Sequence, residues 1–487
     1  MISVILSEFA FGKSLAQALA DVERLGPGLE VLPVPRSENR AEALNAAVEA
    51  AHGEILLFLP SFVDPLPGLV DEVLAGLAAD PAAGIVYGDY TILVGPGNEA
   101  RQPMLAHEND LSEWPGIGYV AGMRRDVFRA AGGYDPAYRF VEEYDLRLRI
   151  TRQARLVRAS VPLCRLDRTR VPLEDERVKQ SLRHWFTPES SPKKGYAYLF
   201  SAAEEDREIE RAFAAELRAR GAYLEGEASP VACPHARSGP TVSVVIPVYD
   251  RVRYIGRAIG SVLAGDYRDF EILVVDGGST DGTLDVADEL ARGGAPIRVL
   301  HNPARVVATA LNVGLRAARG KYVAQLDSDD EFTPSTLRQC VAYLEAHPDC
   351  ALAISYYDFI DDDGRAVEHL GVVRHLEYDR NVILRTNGAG AVRVWHRCVL
   401  ERLGGFREEW FPDYAEDYDM ILRLSERYEV GRVPDVLYRW RLHASNSEQL
   451  VSIEDRVRKK ALARAHALER RADLLRSRLV TEGAARD

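Results

Sequence analysis

Residues 241–300 read TVSVVIPVYDRVRYIGRAIGSVLAGDYRDFEILVVDGGSTDGTLDVADELARGGAPIRVL, and the alternation within this stretch decides the fold. Apolar runs of strand length (VSVVIP, EILVVD, IRVL) alternate with segments of helical period (YIGRAIGSVL, TLDVADELA). Strands that read as continuous apolar runs are buried on both faces, so the pattern predicts βαβαβ units around a parallel sheet. Ser279, Thr280 and Asp281 are suited to cap the next helix, because their side-chain oxygens accept from free backbone N–H groups. Downstream, ALNVGLRAARGKYVAQLDSDDEFTP (residues 310–334) predicts a helix closed by Gly320, a strand, and an acidic strand end.

The same plan occurs earlier in the chain. ISVILSEFAFGKSLAQAL (2–19) takes the place of VSVVIPVYDRVRYIGRAI (242–259), and GLEVLPVP (28–35) that of DFEILVVD (269–276). ALNAAVEAAHGEILLFLPSFVDPLP (43–67) matches residues 310–334, AGIVYGDYTI (83–92) matches LAISYYDFID (352–361), and FRAAGGYDPAY (128–138) matches LERLGGFREEW (400–410). VEEYDLRLRI (141–150) then matches AEDYDMILRL (415–424). The order is conserved between the copies, but the offset jumps from about 240 to between 267 and 274. The first copy therefore lacks roughly 25 residues, those equivalent to STDGTLDVADELARGGAPIRVLHNP. A whole domain has been duplicated, rather than a short solenoid unit.

A chain of 487 residues accommodates two or three domains. The net charge of -13 argues against a nucleic-acid partner, which needs a basic footprint. Cys164, Cys233, Cys340, Cys350 and Cys398 are scattered and never form a Cys-x-x-Cys pair, so neither a disulfide nor a zinc site is expected, and a reducing cytoplasm is. The start MISVILSEFAFGKSL has no basic region and too short an apolar run for a signal peptide. No run of about 18 apolar residues is present to span a membrane. Between the copies, DREIERAFAAELRARGAYL (206–224) predicts an amphipathic helix, and EASPVACPHARSGP (227–240) a linker, with His235 beside Cys233 read as part of it. The expected domains are residues 1–172, a helical region and linker over 173–240, a second domain over 241–450, and a basic amphipathic helix over 451–487.

Ligands of an open α/β sheet bind beyond the carboxyl ends of its strands. Three acidic clusters of the second copy fall there: Asp276 closes EILVVD, Asp327, Asp329 and Asp330 close YVAQLDSDD, and Glu416-Asp417 opens a helix. Taken alone, Asp327–Asp330 reads as a solvated turn before Pro334. In register with two other acidic strand ends it reads as hard oxygen ligands for Mg²⁺ or Mn²⁺, bound with substrate phosphates. Asp417 lies in the first turn of its helix, where the macrodipole favours the ionised form, and shares the inward face of Ile421, Leu424 and Tyr428. Trp395 and Trp410 are left without a role.

Taken together, SVVIPVYDR, EILVVDGGSTDGT, ALNVGLRAARGKYVAQLDSDDEFTP, AEDYDMILRL and YRWRLHASNS resemble the inverting family 2 glycosyltransferases of GT-A fold, over about residues 241 to 447. The resemblance implies an α/β protein with two GT-A domains in tandem, plus a helical linker and a C-terminal helix. It implies a metal-dependent transfer from a nucleotide-diphosphate sugar to a carbohydrate, lipid-linked or protein acceptor, in bacterial polysaccharide or glycoconjugate synthesis. Tyr249 and Asp276 would contact the nucleoside and Asp327 the ribose, with Pro247, Asn312 and Arg441 also in the donor site. Asp329, with Asp327 and His443 beside it, would hold Mn²⁺ or Mg²⁺. Asp417 would be the catalytic base, next to Glu416. Where many members read Asp-Asp-Gly-Ser, this chain reads Asp276-Gly277-Gly278-Ser279, which leaves the base of the nucleotide open.

The first copy departs at these positions: Pro35 stands for Asp276, Pro60 for Asp327, Phe62 for Asp329, Val63 for Asp330 and Thr169 for His443. Only the acid pair persists, as Glu142-Glu143. A pseudo-transferase domain is expected, serving packing, oligomer contacts or acceptor holding. A sugar nucleotidyltransferase would need a Gly-rich basic loop after the first strand, which VVIPVYDRVRYIG is not; a non-catalytic carbohydrate-binding protein would not need Asp329 and Asp417 together. In the tail, Ile453, Val457, Ala461, Leu468, Ala472, Leu475 and Leu479 form one apolar stripe among many arginines and lysines. Either that stripe packs on the catalytic domain or another subunit of a homo-oligomer, or the helix lies on the anionic inner face of a membrane.

Overall fold

The structure, a computed structural model, describes residues 1–95, 98–112, 116–171, 203–233, 239–302, 304–375, 378–385, 390–446 and 451–484. It divides into two compact units, Met1–Arg220 and Gly221–Asp487.

The first unit is built on β1 (Ile2–Ser7), β2 (Leu29–Val34), β3 (Ile55–Pro60), β4 (Val63–Pro65), β5 (Ala83–Gly95), β6 (Asn98–Gln102), β7 (Ala121–Arg124) and β8 (Arg155–Asp167). Its sheet order is β2-β1-β3-β7-β5-β8-β4, with β6 on the side of β5. β1 runs parallel to β2 and β3, and β7 is antiparallel to both of its neighbours. Successive residues of a strand point to opposite faces. Val4 and Leu6 accordingly join one core with Leu57 and Val73, while Ile5 joins the other with Leu44, Leu56 and Phe128. Covering both faces requires helices on both, which is why the strands read as unbroken apolar runs. The helix Ala203–Ala219 belongs to this unit and packs on the helix Glu142–Ile150.

The second unit holds β9 (Val242–Val248), β10 (Phe270–Asp276), β11 (Ile297–His301), β12 (Tyr322–Gln325), β13 (Glu331–Phe332), β14 (Cys350–Ile360), β15 (Arg393–His396) and β16 (Glu429–Arg441), in the order β11-β10-β9-β12-β15-β14-β16-β13. Both sheets have eight strands in the same core order; the second adds β11 at its edge, and among the described residues it has no counterpart of β6. Strand register puts the duplication on a structural footing. Ile2 pairs with Leu29 and Ile55, and Val242 pairs with Phe270 and Tyr322. Counting from these pairs, Pro35 corresponds to Asp276 and Pro60 to Asp327. The segment the first copy lacks is the helix Thr283–Arg292 and β11.

Three local expectations are corrected. The cap of the helix Thr283–Arg292 is Gly282, at φ 97°, and Asp281 supports it by accepting from the Thr283 N–H at 3.0 Å. Gly320 does not close its helix, which ends at Ala317. It allows a close approach instead, since a Cβ there would lie 2.5 Å from the Ser243 nitrogen. The expectation of no disulfide fails: Cys233 and Cys398 are joined, with Cα atoms 5.9 Å apart, while Cys164, Cys340 and Cys350 are free and buried. The stretch read as a linker is in fact tied down. Ser229 and Val231 donate to the carbonyls of Arg427 and Pro348 at 2.8 and 2.7 Å, which carries Cys233 to its partner.

The tail forms the helix Ile453–Ala484, packed on the helix Glu416–Leu424 of the same unit. Val457, Ala461, Ala463 and Ala467 are buried, and so are Arg464 and Arg471. Arg471 reaches Ser425 Oγ at 2.9 Å, so part of the basic face points inward. The side chain of Leu479 lies outside the described residues. Among those residues no helix is long and apolar enough to cross a membrane.

Candidate active site

β9, β10 and β12 are parallel, so their carboxyl ends share one edge of the sheet. β15 runs antiparallel to β12 and pairs its first residue, Arg393, with Gln325, the last residue of β12. An arginine at a strand start is thereby delivered to the edge where the acidic strand ends converge.

The loop after β12 is shaped from below by Arg441, which is fully buried. Its backbone N–H donates to Asp330 Oδ1 at 2.7 Å and its Nε to the Asp329 carbonyl at 2.7 Å. Its Nη1 donates to the carbonyls of Asp361 and Asp362 at 3.0 and 3.2 Å, and its Nη2 pairs with Glu331. Asp330 is also held by the Tyr438 hydroxyl at 2.7 Å, and burial pushes its carboxyl well up. Asp330 and Arg441 are therefore framework, and Asp327 and Asp329 are the carboxylates presented to the site.

Asp329 Oδ2 meets His443 Nε2 at 3.0 Å and Arg251 Nε at 3.5 Å. Burial pushes the Asp329 carboxyl up, but the His443 hydrogen bond and the Arg251 charge outweigh it and hold the group below its usual range. His443 is fixed by Ser445 Oγ, 2.9 Å from Nδ1, and by stacking on Tyr254 with ring centroids 4.7 Å apart. Asp327 is pushed up by burial; the charge of Arg393 opposes this, and the charges of Asp329 and Asp417 add to it.

Across the cleft, Ala415 takes φ 68° and starts the helix Glu416–Leu424 with the acid pair in its first turn. Arg393 Nη2 is 2.5 Å from Asp417 Oδ2, both side chains being only 15% exposed. Despite burial, the charges of Asp417 and then Asp327 keep the guanidinium above its ordinary value. Burial, then the charge of Asp417, pushes Glu416 up. One arginine thus stands among Asp327, Glu416 and Asp417. Such an excess of negative charge suits a divalent cation, and carboxylate oxygens with an imidazole nitrogen are donor types that Mn²⁺ or Mg²⁺ accepts, but Asp327, Asp329 and His443 do not bring three ligand atoms within 4.8 Å of one another in this structure.

At the end of β10, Asp276 is buried and accepts from the N–H groups of Gly278 and Ser279 at 2.9 and 3.1 Å, which shapes the turn that follows. Gly278 sits at φ 87°, where a side chain would be strained. Tyr249 is 39% exposed just past β9, and its hydroxyl accepts from Arg305 at 3.1 Å. Pro247 lies in β9 opposite Val275. Asn312 sits elsewhere. Its amide binds the Phe406 N–H and carbonyl, both at 2.8 Å, and Glu408 at 2.7 Å. It lines a separate groove of about 1010 Å³ with Trp410 and His466, and none of the acidic cluster lines that groove. Asn312 and Arg441, expected at the donor, are both engaged by protein backbone. Arg393, Arg251 and Arg305 were not anticipated. Arg251 alone had a local signal, in the basic run that follows Tyr249.

In the first unit the equivalent cleft is filled. Ala121 stands where Arg393 does, by its pairing with Phe58 in β3. Phe62, at the place of Asp329, is 1% exposed and packs with Phe9, Phe11 and Tyr119 at centroid distances of 4.8, 5.1 and 5.6 Å. Gly12, at φ 85°, has no room for a Cβ, which would fall 2.6 Å from that of Phe62. Glu142 and Glu143 persist but are paired with Arg40 at 2.7 and 2.9 Å.

Residues 243–402 match the model of glycosyl transferase family 2. The chain is 28% identical to a hyaluronan synthase of Pasteurella multocida over 245 residues, covering 50% of this chain and 25% of that protein. It is 30% identical to a chondroitin synthase of Escherichia coli over 211 residues, covering 43% of this chain and 30% of that one. The chain thus spans about a quarter to a third of the length of these relatives. A solved mannosyltransferase from Pyrobaculum calidifontis, in complex with GDP-Man and Mn²⁺, is 21% identical at a TM-score of 0.35, covering 55% of this chain and 85% of that one. The second half of the chain carries a glycosyltransferase family 2 domain of GT-A fold, related to bacterial polysaccharide synthases.

Proposed function

We propose that this family 2 domain transfers a sugar, with inversion, from a nucleotide-diphosphate donor to an acceptor hydroxyl, and that the first unit is a pseudo-transferase domain without a site of its own. The observation that carries this reading is the gathering of Asp327, Glu416 and Asp417 around Arg393 at the sheet edge that also carries the Asp329–His443 pair.

Inversion in one displacement requires a carboxylate to take the acceptor proton as the oxygen attacks the anomeric carbon. Asp417 has that place. Arg393 holds its Oδ2, and its Oδ1 accepts from the Tyr418 N–H at 2.6 Å, which fixes the carboxylate plane. A carboxylate has about four acceptor positions, so both oxygens keep a lone pair for the proton. Asp329 and His443 would hold the divalent cation, with Asp327 beside them; when bound, it offsets the charge that develops on the leaving diphosphate. Arg251, on the same edge, adds a second positive group. Tyr249 offers an exposed ring for a nucleobase to stack on, and Asp276 keeps the loop beneath it in shape. With Gly277 in place of a second carboxylate, uracil has no evident partner, and the base stays open.

The relatedness to polysaccharide synthases supports a role in assembling a bacterial polysaccharide or glycoconjugate, with an acceptor that is a carbohydrate, a lipid-linked sugar or a protein. The inward-turned part of the tail supports packing on its own unit over a membrane contact. The loop after β9 has no glycine-rich phosphate cradle, which disfavours a sugar nucleotidyltransferase, and a simple carbohydrate-binding protein has no need of the Arg393 cluster. Incubation with a panel of nucleotide sugars and Mn²⁺, following nucleotide release with and without acceptor saccharides, tests the reading. Release from at least one donor, lost in Asp417→Asn, is expected; binding of sugars with no release from any donor would leave only the carbohydrate-binding reading.

A further inference from the structure

At the sheet edge opposite the acidic cluster, three metal-ligating side chains converge. β15 carries Arg393 at the cleft and ends at His396, three residues or about 10 Å further along. His396 is 5% exposed and packs against Tyr322, with centroids 4.8 Å apart. Cys398 follows in the first turn of the helix Arg397–Arg402. Cys233 arrives in the segment pinned by Ser229 and Val231, and Arg402 also donates to the Ala232 carbonyl at 2.7 Å. Ligand atoms of Cys233, His396 and Cys398 all lie within 4.8 Å of one another, and Cys233 Sγ is 3.8 Å from His396 Nδ1.

A disulfide joins two of these groups. A tetrahedral zinc ion uses all three: with Zn–S of about 2.3 Å and Zn–N of about 2.0 Å, sulfur and nitrogen on one ion stand about 3.5 Å apart. The observed 3.8 Å is close to that edge. The sequence adds a symmetry that passes unnoticed when each cysteine is considered alone. It reads Cys233-Pro234-His235 and His396-Arg397-Cys398, two Cys/His pairs of mirrored spacing, although His235 itself lies outside the described residues.

We propose that, with both thiols reduced, Cys233, His396 and Cys398 bind one Zn²⁺ ion, and that this structural site staples the segment before β9 to the back of the catalytic sheet. Binding releases a proton from each thiol and requires no electron transfer; the metal site and the disulfide are exclusive states of the same pair. The ion is a strand's length from Asp417 and takes no part in the transfer. Its identity as zinc follows from the two thiolates, whereas the oxygen-rich cluster at the other edge suits Mn²⁺ or Mg²⁺.

The test uses the full chain purified from a reducing cytoplasm without added metal. Elemental analysis should find one zinc per chain, and thiol titration after denaturation should find all five cysteines reduced rather than the three outside the pair. Absorption spectroscopy at the zinc edge of the wild-type protein should show two sulfur ligands, which keeps the test valid if a variant fails to fold. Cys233→Ser, Cys398→Ser and His396→Ala should each lose at least half of the zinc, while Asp329→Ala and Cys350→Ser keep it. Three thiols and no zinc would make the pair a plain disulfide and overturn the proposal. So would zinc retained by a Cys233→Ser, Cys398→Ser double variant, or five thiols without zinc. Retention of zinc in Asp329→Ala separates this site from the cation of the transfer reaction, so neither reading can fail unseen behind the other.

Discussion

Arg393→Met removes the single guanidinium among three acids and should destabilise the second unit more than any one of those acids does when neutralised. Arg393 and Asp417 meet at 2.5 Å and are each 15% exposed, so solvent screening discounts the pair only modestly. With charge centres about 4 Å apart, an effective dielectric of about 20 gives about 4 kcal/mol, and breaking a buried pair from one side costs about 3–5 kcal/mol. Asp327 and Glu416, both pushed up, relieve part of that by holding protons, which leaves a net loss of about 2–4 kcal/mol. For a unit of this size each kcal/mol moves the midpoint by about 2–4 °C, so the second unit's transition should fall by about 4–16 °C. Asp417→Asn should behave in the opposite way. It leaves Arg393 facing Asp327 and relieves the repulsion on Glu416, so stability should stay within about 1 kcal/mol of wild type while turnover drops by about 10²-fold or more. The double variant should regain most of the stability lost in Arg393→Met, because one charge of each sign has left the cluster. Scanning calorimetry without added metal, alongside donor turnover with Mn²⁺, reads both quantities. If Arg393→Met is as stable as wild type, or Asp417→Asn falls as far and the double variant shows no rescue, Arg393 is not the counter-charge of the site.

Asp329→Ala should abolish cation-dependent binding of a nucleoside diphosphate, measured calorimetrically with Mn²⁺; unchanged affinity would remove Asp329 from the ligand set. Glu143→Gln, at the counterpart of Asp417, should leave turnover within about twofold of wild type, because Arg40 already occupies that pair and Phe62 fills the place of Asp329; a loss comparable to that of Asp417→Asn would make the first unit catalytic. Glu416 is raised by burial and then by Asp417, so the folded state keeps a proton that the unfolded chain releases at lower pH. Stability from this group is therefore present at low pH and lost as pH rises out of the ordinary carboxylate range. Glu416→Gln removes that loss, and its midpoint relative to wild type should climb with pH in metal-free buffer; a constant difference across the range would refute the burial of that charge.

The duplication was legible because strand patterns carry their own register. Within an uninterrupted block the offset between copies stays constant, so the pairs Pro35/Asp276 and Pro60/Asp327 could be counted along the chain and then found again in the strand pairing. The acids at strand ends were legible for the same reason, since the end of an apolar run marks the edge where parallel strands bind ligands. Arg393 was not, because its position depends on β15 entering antiparallel: the first residue of one strand then meets the last of another, 68 positions earlier, and no spacing encodes that choice. Asn312 and Arg441 pose a different difficulty. Residue type admitted both to a polar site, and a buried polar group must satisfy its hydrogen bonds, which here go to the backbone of residues 406 and 329, partners that residue type does not reveal. Cys233 and Cys398 combine the two difficulties, being 165 residues apart and brought together only because a stretch that looked like free linker is tied to the second unit. The first unit shows how far such neighbours decide chemistry. Its acid pair survives at the start of the same helix, yet an arginine from a different helix is bound to it and Phe62 packs into the place of Asp329, so the carboxylates stand in an ion pair instead of beside a second carboxylate cluster.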